Sequence, residues 1–147
     1  MKSVFYTVIF SFLLMSCSER QDAALISVST TASALDEAAV RDYFKGLDTA
    51  DIGKVMSYLT TDIVYEDVPN AEISKGSVAA KAFVEQFFTD FAGARLAVDS
   101  VTIGKNGAAV EWTMNAGIGE EAWSVRGASV MEHKGGKISK VTDYWDK

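Results

Sequence analysis

Ile63-Val64-Tyr65-Glu66-Asp67-Val68-Pro69 decides how this chain is read, because its alternation is that of a strand and its apolar face carries an acid. Side chains two apart in a strand share a face, so Ile63, Tyr65 and Asp67 point the same way. Near the C-terminus Val141, Asp143 and Trp145 repeat the arrangement. An unpaired carboxylate on a buried face is costly. Hydrogen-bond donors, a raised pKa or a cavity that admits a polar ligand resolve that cost, and all three describe a pocket. Asp67 and Asp143 are therefore the first candidate site residues.

Between these stretches the pattern changes period. Asp36 stands as an N-cap before the repeat Val40, Tyr43, Phe44, Leu47, and Asp51 caps a second short helix with Ile52, Val55, Met56 and Leu59 as its stripe. The first acid-bearing strand is expected over Asp62 to Val68, with Pro69-Asn70 ending it. Ser77, after Gly76, is expected to cap a third helix with Ala80, Phe83, Val84, Phe87, Phe88 and Phe91 on one side. Beyond Gly93 four strands follow: Arg95 to Ile103, Ala108 to Ala116, Ala122 to His133 and Lys137 to Asp146, with turns at Lys105-Asn106-Gly107 and Gly135-Gly136. Helices first and hairpins after imply an α+β domain in which a curved antiparallel sheet wraps the three N-terminal helices.

At 147 residues and 48% hydrophobic content the chain is long enough for one domain with its own core. The net charge is -6 and no stretch concentrates Lys or Arg, so a nucleic-acid partner is not expected. Lys2, the apolar run Val4 to Met15, then Ser16-Cys17 and the polar Ser18-Glu19-Arg20-Gln21-Asp22 read as an export signal. That run is about a dozen residues, short of the roughly 20 of a spanning helix. Residues 18–34 read as a flexible tether and 35–147 as the folded domain.

Cys17 is the single cysteine and His133 the single histidine, so neither a disulfide nor a thiolate or histidine metal cluster is expected. No cofactor is expected. His133 beside the Lys134-Gly135-Gly136 turn reads as a solvated loop-end residue, and no serine has the glycine-flanked setting of a nucleophile. Gly117-Ile118-Gly119 and Gly135-Gly136 lack the strand-to-helix context of a phosphate loop.

Leu14-Met15-Ser16-Cys17 resembles the lipobox of bacterial lipoproteins. The resemblance implies a signal peptide over 1–17, lipidation at Cys17 and an anchor in the cell envelope, with Ser18 favouring the outer membrane on its periplasmic side. Val64-Tyr65-Glu66-Asp67-Val68-Pro69 with Gly76, and Gly136-Lys137-Ile138 leading to Asp143-Tyr144-Trp145-Asp146, resemble the SnoaL-like branch of the nuclear transport factor 2-like superfamily. That implies a cone-shaped α+β barrel from Leu35 onward with one deep pocket, and commonly a homodimer through the outer face of the sheet.

Three enzyme relatives can be laid over these residues. Limonene-epoxide hydrolases would match Tyr65 and Asp143, but Asp67 stands where they carry Asn, and Thr113 and Asn115 stand where they carry an Arg and an Asp. Ketosteroid isomerases would place Tyr43 as an oxyanion donor and Asp67 as the proton shuttle, yet their second donor would fall near Gly127, where there is no carboxyl. Polyketide cyclases need only a carboxyl acting as acid and base on a substrate whose own π-system holds the enolate. The resemblance thus implies Asp143, Asp67 and Tyr65 as catalytic residues, with Tyr43, Trp145, Thr113 and Asn115 touching a small hydrophobic ligand. Trp112 and Met114, at strand spacing, could line either face; as the face opposite Thr113 and Asn115 they are expected to pack a dimer or the sheet's outer side. Two readings stay open: an isomerase- or cyclase-like enzyme, and a non-catalytic ligand-binding or interaction module. The local alternatives also stand, with Asp67 capping the turn before Pro69-Asn70 or pairing with a lysine, and Asp143 a structural acid receiving hydrogen bonds from a tyrosine or a backbone amide.

Overall fold

The computed structural model describes residues 34–117 and 119–146. The expected signal segment and the lipidation site Cys17 lie outside the described residues, as does all of the expected tether except Ala34. Among the described residues no helix is long and apolar enough to cross a membrane.

Helix α1, Glu37–Asp48, begins where Asp36 accepts a hydrogen bond from the Ala39 amide at 2.8 Å. Such a cap satisfies one of the amides left without a helical partner. Its Val40, Tyr43, Phe44 and Leu47 form the buried stripe. Asp51 caps α2, Ile52–Ser57, in the same way through the Lys54 amide at 2.9 Å. The cap of α3, Ser77–Asp90, differs from expectation: Gly76 is the capping residue, at φ 82, and Ser77 is already helical. Only glycine takes that left-handed conformation at little cost.

The strands are β1 Leu59–Asp67, β2 Glu72–Lys75, β3 Arg95–Ile103, β4 Gly107–Ala116, β5 Trp123–Lys134 and β6 Lys137–Trp145. They form one curved, unclosed sheet in the order β2-β1-β6-β5-β4-β3, with the helices preceding or interrupting it, the expected cone-shaped α+β fold. The sheet is mixed: β1 runs parallel to β6, whereas every other pair is antiparallel. The short β2 was not anticipated. Its Glu72-Ile73-Ser74-Lys75 lies on the edge next to β1 with little burial, so no apolar alternation marks it.

Gly135 and Gly136, at φ 58 and 79, make the β5–β6 turn, a two-residue connection that requires left-handed backbone at both positions. From that turn alone Ser129 would pair with Thr142; a one-residue register shift between Glu132 and His133 brings it opposite Asp143 instead, while the parallel ladder sets Asp67 opposite Asp143. Gly127 has a different purpose. A Cβ there would lie 2.3 Å from the Trp112 ring, so the missing side chain leaves the indole its place across the β4–β5 ladder.

The core lies between α1, α3 and the inner face of the sheet, where Val40, Tyr43, Ile63, Val84, Val110, Met131 and Val141 are buried. Each such side chain contributes about 1.5–3 kcal/mol of burial. Asp48 fastens the end of α1 to β3. It accepts two hydrogen bonds from Arg95, at 2.8 and 2.9 Å, and one from the Leu96 amide at 3.1 Å. The Arg95 guanidinium holds the Asp48 carboxyl well below the usual carboxylate range. This fastening sets the end of α1 against the sheet, and a hollow remains between α3 and the sheet.

Candidate functional site

The hollow has a volume of about 430 Å³ and is bounded by α3 on one side and by strands of the sheet on the other. Phe83, Phe87 and Phe91 line it from the helix and its end. They recur every four residues, so one helical face carries all three rings toward the space. The phenylalanines line the hollow without filling it. From the sheet, Tyr65, Asp67, Trp112, Ser129, Asp143 and Trp145 reach the same space. A largely apolar cleft with a few convergent polar groups is the usual form of a small-molecule site.

Asp67 and Asp143 are direct neighbours in the parallel β1–β6 ladder and both line the cavity. Their surroundings differ. Asp67 is 8% exposed and accepts from the Asn70 amide at 3.3 Å, from Asn70 Nδ2 at 2.8 Å and from Trp145 Nε1 at 3.1 Å. It thus holds the turn through Pro69-Asn70 and also lies on the cavity wall.

Asp143 receives a short hydrogen bond from the Ser129 hydroxyl, and the same hydroxyl oxygen accepts from Trp112 Nε1 at 2.9 Å. Burial pushes the Asp143 carboxyl up to about 6. The Ser129 and Tyr65 hydroxyls pull against that rise, and the neighbouring Asp67 charge adds to it. A carboxyl poised near neutrality can both take and return a proton.

Tyr65 is 5% exposed and stacks obliquely on Phe83 at 4.8 Å between ring centres. Its hydroxyl accepts from the Tyr43 hydroxyl at 3.2 Å. Burial first, then the Asp143 charge, push the Tyr65 hydroxyl well above the ordinary tyrosine value, and the same two causes act on Tyr43. Both tyrosines therefore stay neutral donors. Tyr43 is fully buried and stands behind Tyr65, off the cavity wall, so the contact with a ligand expected for it has no support in the geometry.

The expected faces of β4 are reversed. Trp112 and Met114 are buried and line the cavity, whereas Thr113 and Asn115 point away from it, with Thr113 donating to Asp99 at 2.7 Å. The reason is burial: the larger apolar pair takes the inner face, and strand periodicity then puts the polar pair outside. Ser129 was the residue missed. It is 2% exposed on a strand face shared with Met131, and that same pattern of a polar residue among apolar neighbours was the available signal. His133 Nε2 lies 3.4 Å from the Lys105 carbonyl oxygen at the turn end of the sheet, away from the cavity. Among the described residues no group of three or more His, Cys, Asp or Glu is placed to hold a metal ion.

A family model of SnoaL-like domains matches residues 40–141. No curated protein matches the chain. Among solved structures, a protein with a ketosteroid isomerase-like fold from Catenulispora acidiphila, in complex with trimethylamine, superposes with a TM-score of 0.67 at 12% identity, covering 74% of this chain and 85% of that one. An NTF2-like protein from Cytophaga hutchinsonii gives 0.64 at 18% identity, over 75% and 98% of the two chains. An LEH-like epoxide hydrolase of M. tuberculosis gives 0.63 at 22% identity, over 74% and 80%. At such identities these likenesses establish the fold alone.

Proposed function

We propose that this chain, which belongs to the SnoaL-like domain family, binds a small and mainly apolar molecule in the cavity between α3 and the sheet, and that Asp143 transfers a proton on it. The observation that carries this reading is a carboxyl raised to about 6 on the wall of an apolar hollow, steadied by Ser129 and Tyr65. Near neutral pH such a carboxyl is largely ionised. It takes a proton from a carbon α to a carbonyl and returns it at another position, and the substrate's own conjugation carries the enolate charge meanwhile. Asp67 and Trp145 form a fixed edge against which the substrate is oriented.

Hydrogen–deuterium exchange α to the carbonyl of aryl and terpenoid ketones in heavy water reads this chemistry without knowledge of the product. Exchange that depends on the protein and drops by roughly a hundredfold or more in Asp143→Asn supports the proposal. Exchange at the same rate in that variant contradicts it.

A second reading is a binding module without turnover. It is favoured by one observation: no Lys, Arg or His lines the cavity among the described residues, and Tyr65 already acts on Asp143, so a developing oxyanion meets few free donors. Ligand-induced thermal stabilisation without exchange would select it.

The location and assembly are also proposals. Export and lipidation at Cys17 rest on the sequence around it. Incorporation of an alkyne-tagged fatty acid that vanishes in Cys17→Ser is the expected result. A homodimer through the outer sheet face is supported by the exposed Val130 and Tyr144 on adjacent strands, and sedimentation of a single species at twice the chain mass is its test.

A further inference from the structure

We propose that the molecule held in this cavity carries a tertiary or quaternary ammonium group, seated among the aromatic rings and the carboxylates of Asp67 and Asp143; this inference rests on the pocket reading above. Four acids line the space, Asp67 and Asp143 inside and the exposed Glu72 and Asp90 farther out. The lining holds no Lys, Arg or His among the described residues, and none of the four acids is ion-paired there. The groups that do bond Asp67, from Asn70 and Trp145, are neutral, as is the Ser129 hydroxyl on Asp143. Neutral donors satisfy an oxygen but leave its charge in place, and in a low-dielectric hollow that charge acts strongly on whatever enters.

The walls complete the argument. Seven aromatic side chains, Phe44, Tyr65, Phe83, Phe87, Phe91, Trp112 and Trp145, line a space of about 430 Å³. Ring faces are negative and attract a cation, best one whose charge is clothed in methyl groups. An alkylated ammonium needs few hydrogen bonds and tolerates apolar contact, which this lining offers. A carboxylate or phosphate ligand would face repulsion with no cation to receive it.

The test uses the full-length chain and two molecules of the same shape, meta-hydroxyphenyltrimethylammonium and its neutral isostere meta-tert-butylphenol, with affinities read by calorimetry. Roughly tenfold or tighter binding of the ammonium compound supports the proposal. Its advantage should shrink between about pH 8 and pH 5, as Asp143 takes up a proton in the company of Asp67, Tyr65, Tyr43 and Ser129. Equal or tighter binding of the phenol would overturn the ammonium inference while leaving the apolar pocket reading intact. Failure of both to bind at millimolar concentration would overturn both. Because the comparison is made on the native chain, it does not depend on a variant that folds.

Discussion

Asp67 and Asp143 sit side by side in one ladder, on one face and against one cavity, yet the ends of β1 and β6 treat them differently. The β1 end turns at once through Pro69-Asn70, and that turn folds Asn70 back to give Asp67 two N–H donors while Trp145 gives a third. The β6 end has no such turn. Asp143 depends on Ser129, a hydroxyl that is itself engaged by Trp112, together with Tyr65. The lesson is that identical residues at paired positions acquire different chemistry from the loop that follows the strand. N–H groups can only donate, so they fix Asp67 as an acceptor and an anchor, whereas hydroxyls can reorient as Asp143 gains or loses its proton.

The largest effect should come from making Asp143 neutral. Its folded value, about 6, lies above its ordinary 3.8, so the native state binds the proton more tightly than the unfolded chain does. Stability from this group is therefore fullest below about pH 4 and declines as pH rises through about 6. Asp143→Asn has no such loss. Relative to the wild type it should gain about 3 kcal/mol between pH 2 and pH 8, read by urea unfolding at each pH. A constant difference would erase the distinction between the two acids.

Ser129→Ala acts on the hydroxyl that distinguishes the surroundings of Asp143 from those of Asp67. It removes the hydroxyl that opposes the Asp143 shift and leaves the Trp112 N–H without its acceptor. A cost of about 2 kcal/mol and a further rise of the Asp143 midpoint are expected, by unfolding and by carboxyl titration. If the midpoint falls instead, Ser129 is not what restrains Asp143.

Tyr43→Phe should cost about 1 kcal/mol, because a buried hydrogen bond to Tyr65 is lost, and should leave ligand affinity nearly unchanged since Tyr43 does not reach the cavity. A large loss of affinity would return Tyr43 to the role expected from sequence. Least of all should follow from Thr113→Val with Asn115→Ala, on the outer face of β4, where thermal shift with a bound ligand should match the wild type.

The sequence made the acid-bearing strands legible because Asp67 and Asp143 break an otherwise apolar alternation, and the caps Asp36 and Asp51 announced their helices through the same local chemistry. It was less informative where two assignments satisfy one pattern. In β4 the run Trp112-Thr113-Met114-Asn115 alternates whichever face is inner, and only the placement of the helices selects the tryptophan face. Strand β2 carries no periodic signal at all, being held by backbone bonds to β1 at an exposed edge. The Ser129–Asp143 contact depends on the Gly135-Gly136 turn together with the register shift between Glu132 and His133, which local sequence does not reveal until the strands are paired.

Proton transfer at this site requires that Asp143 be a carboxyl whose ionisation is hindered by its place in the cavity wall. Carbon-13 NMR of the aspartate carboxyls, followed from about pH 3 to pH 8 with Asp143→Asn to identify the resonance, tests this without any ligand. A midpoint near 6 for the signal absent from the variant is the expected result. A midpoint at the ordinary value of 3.8 would contradict the account, since Asp143 would then be a solvated surface acid.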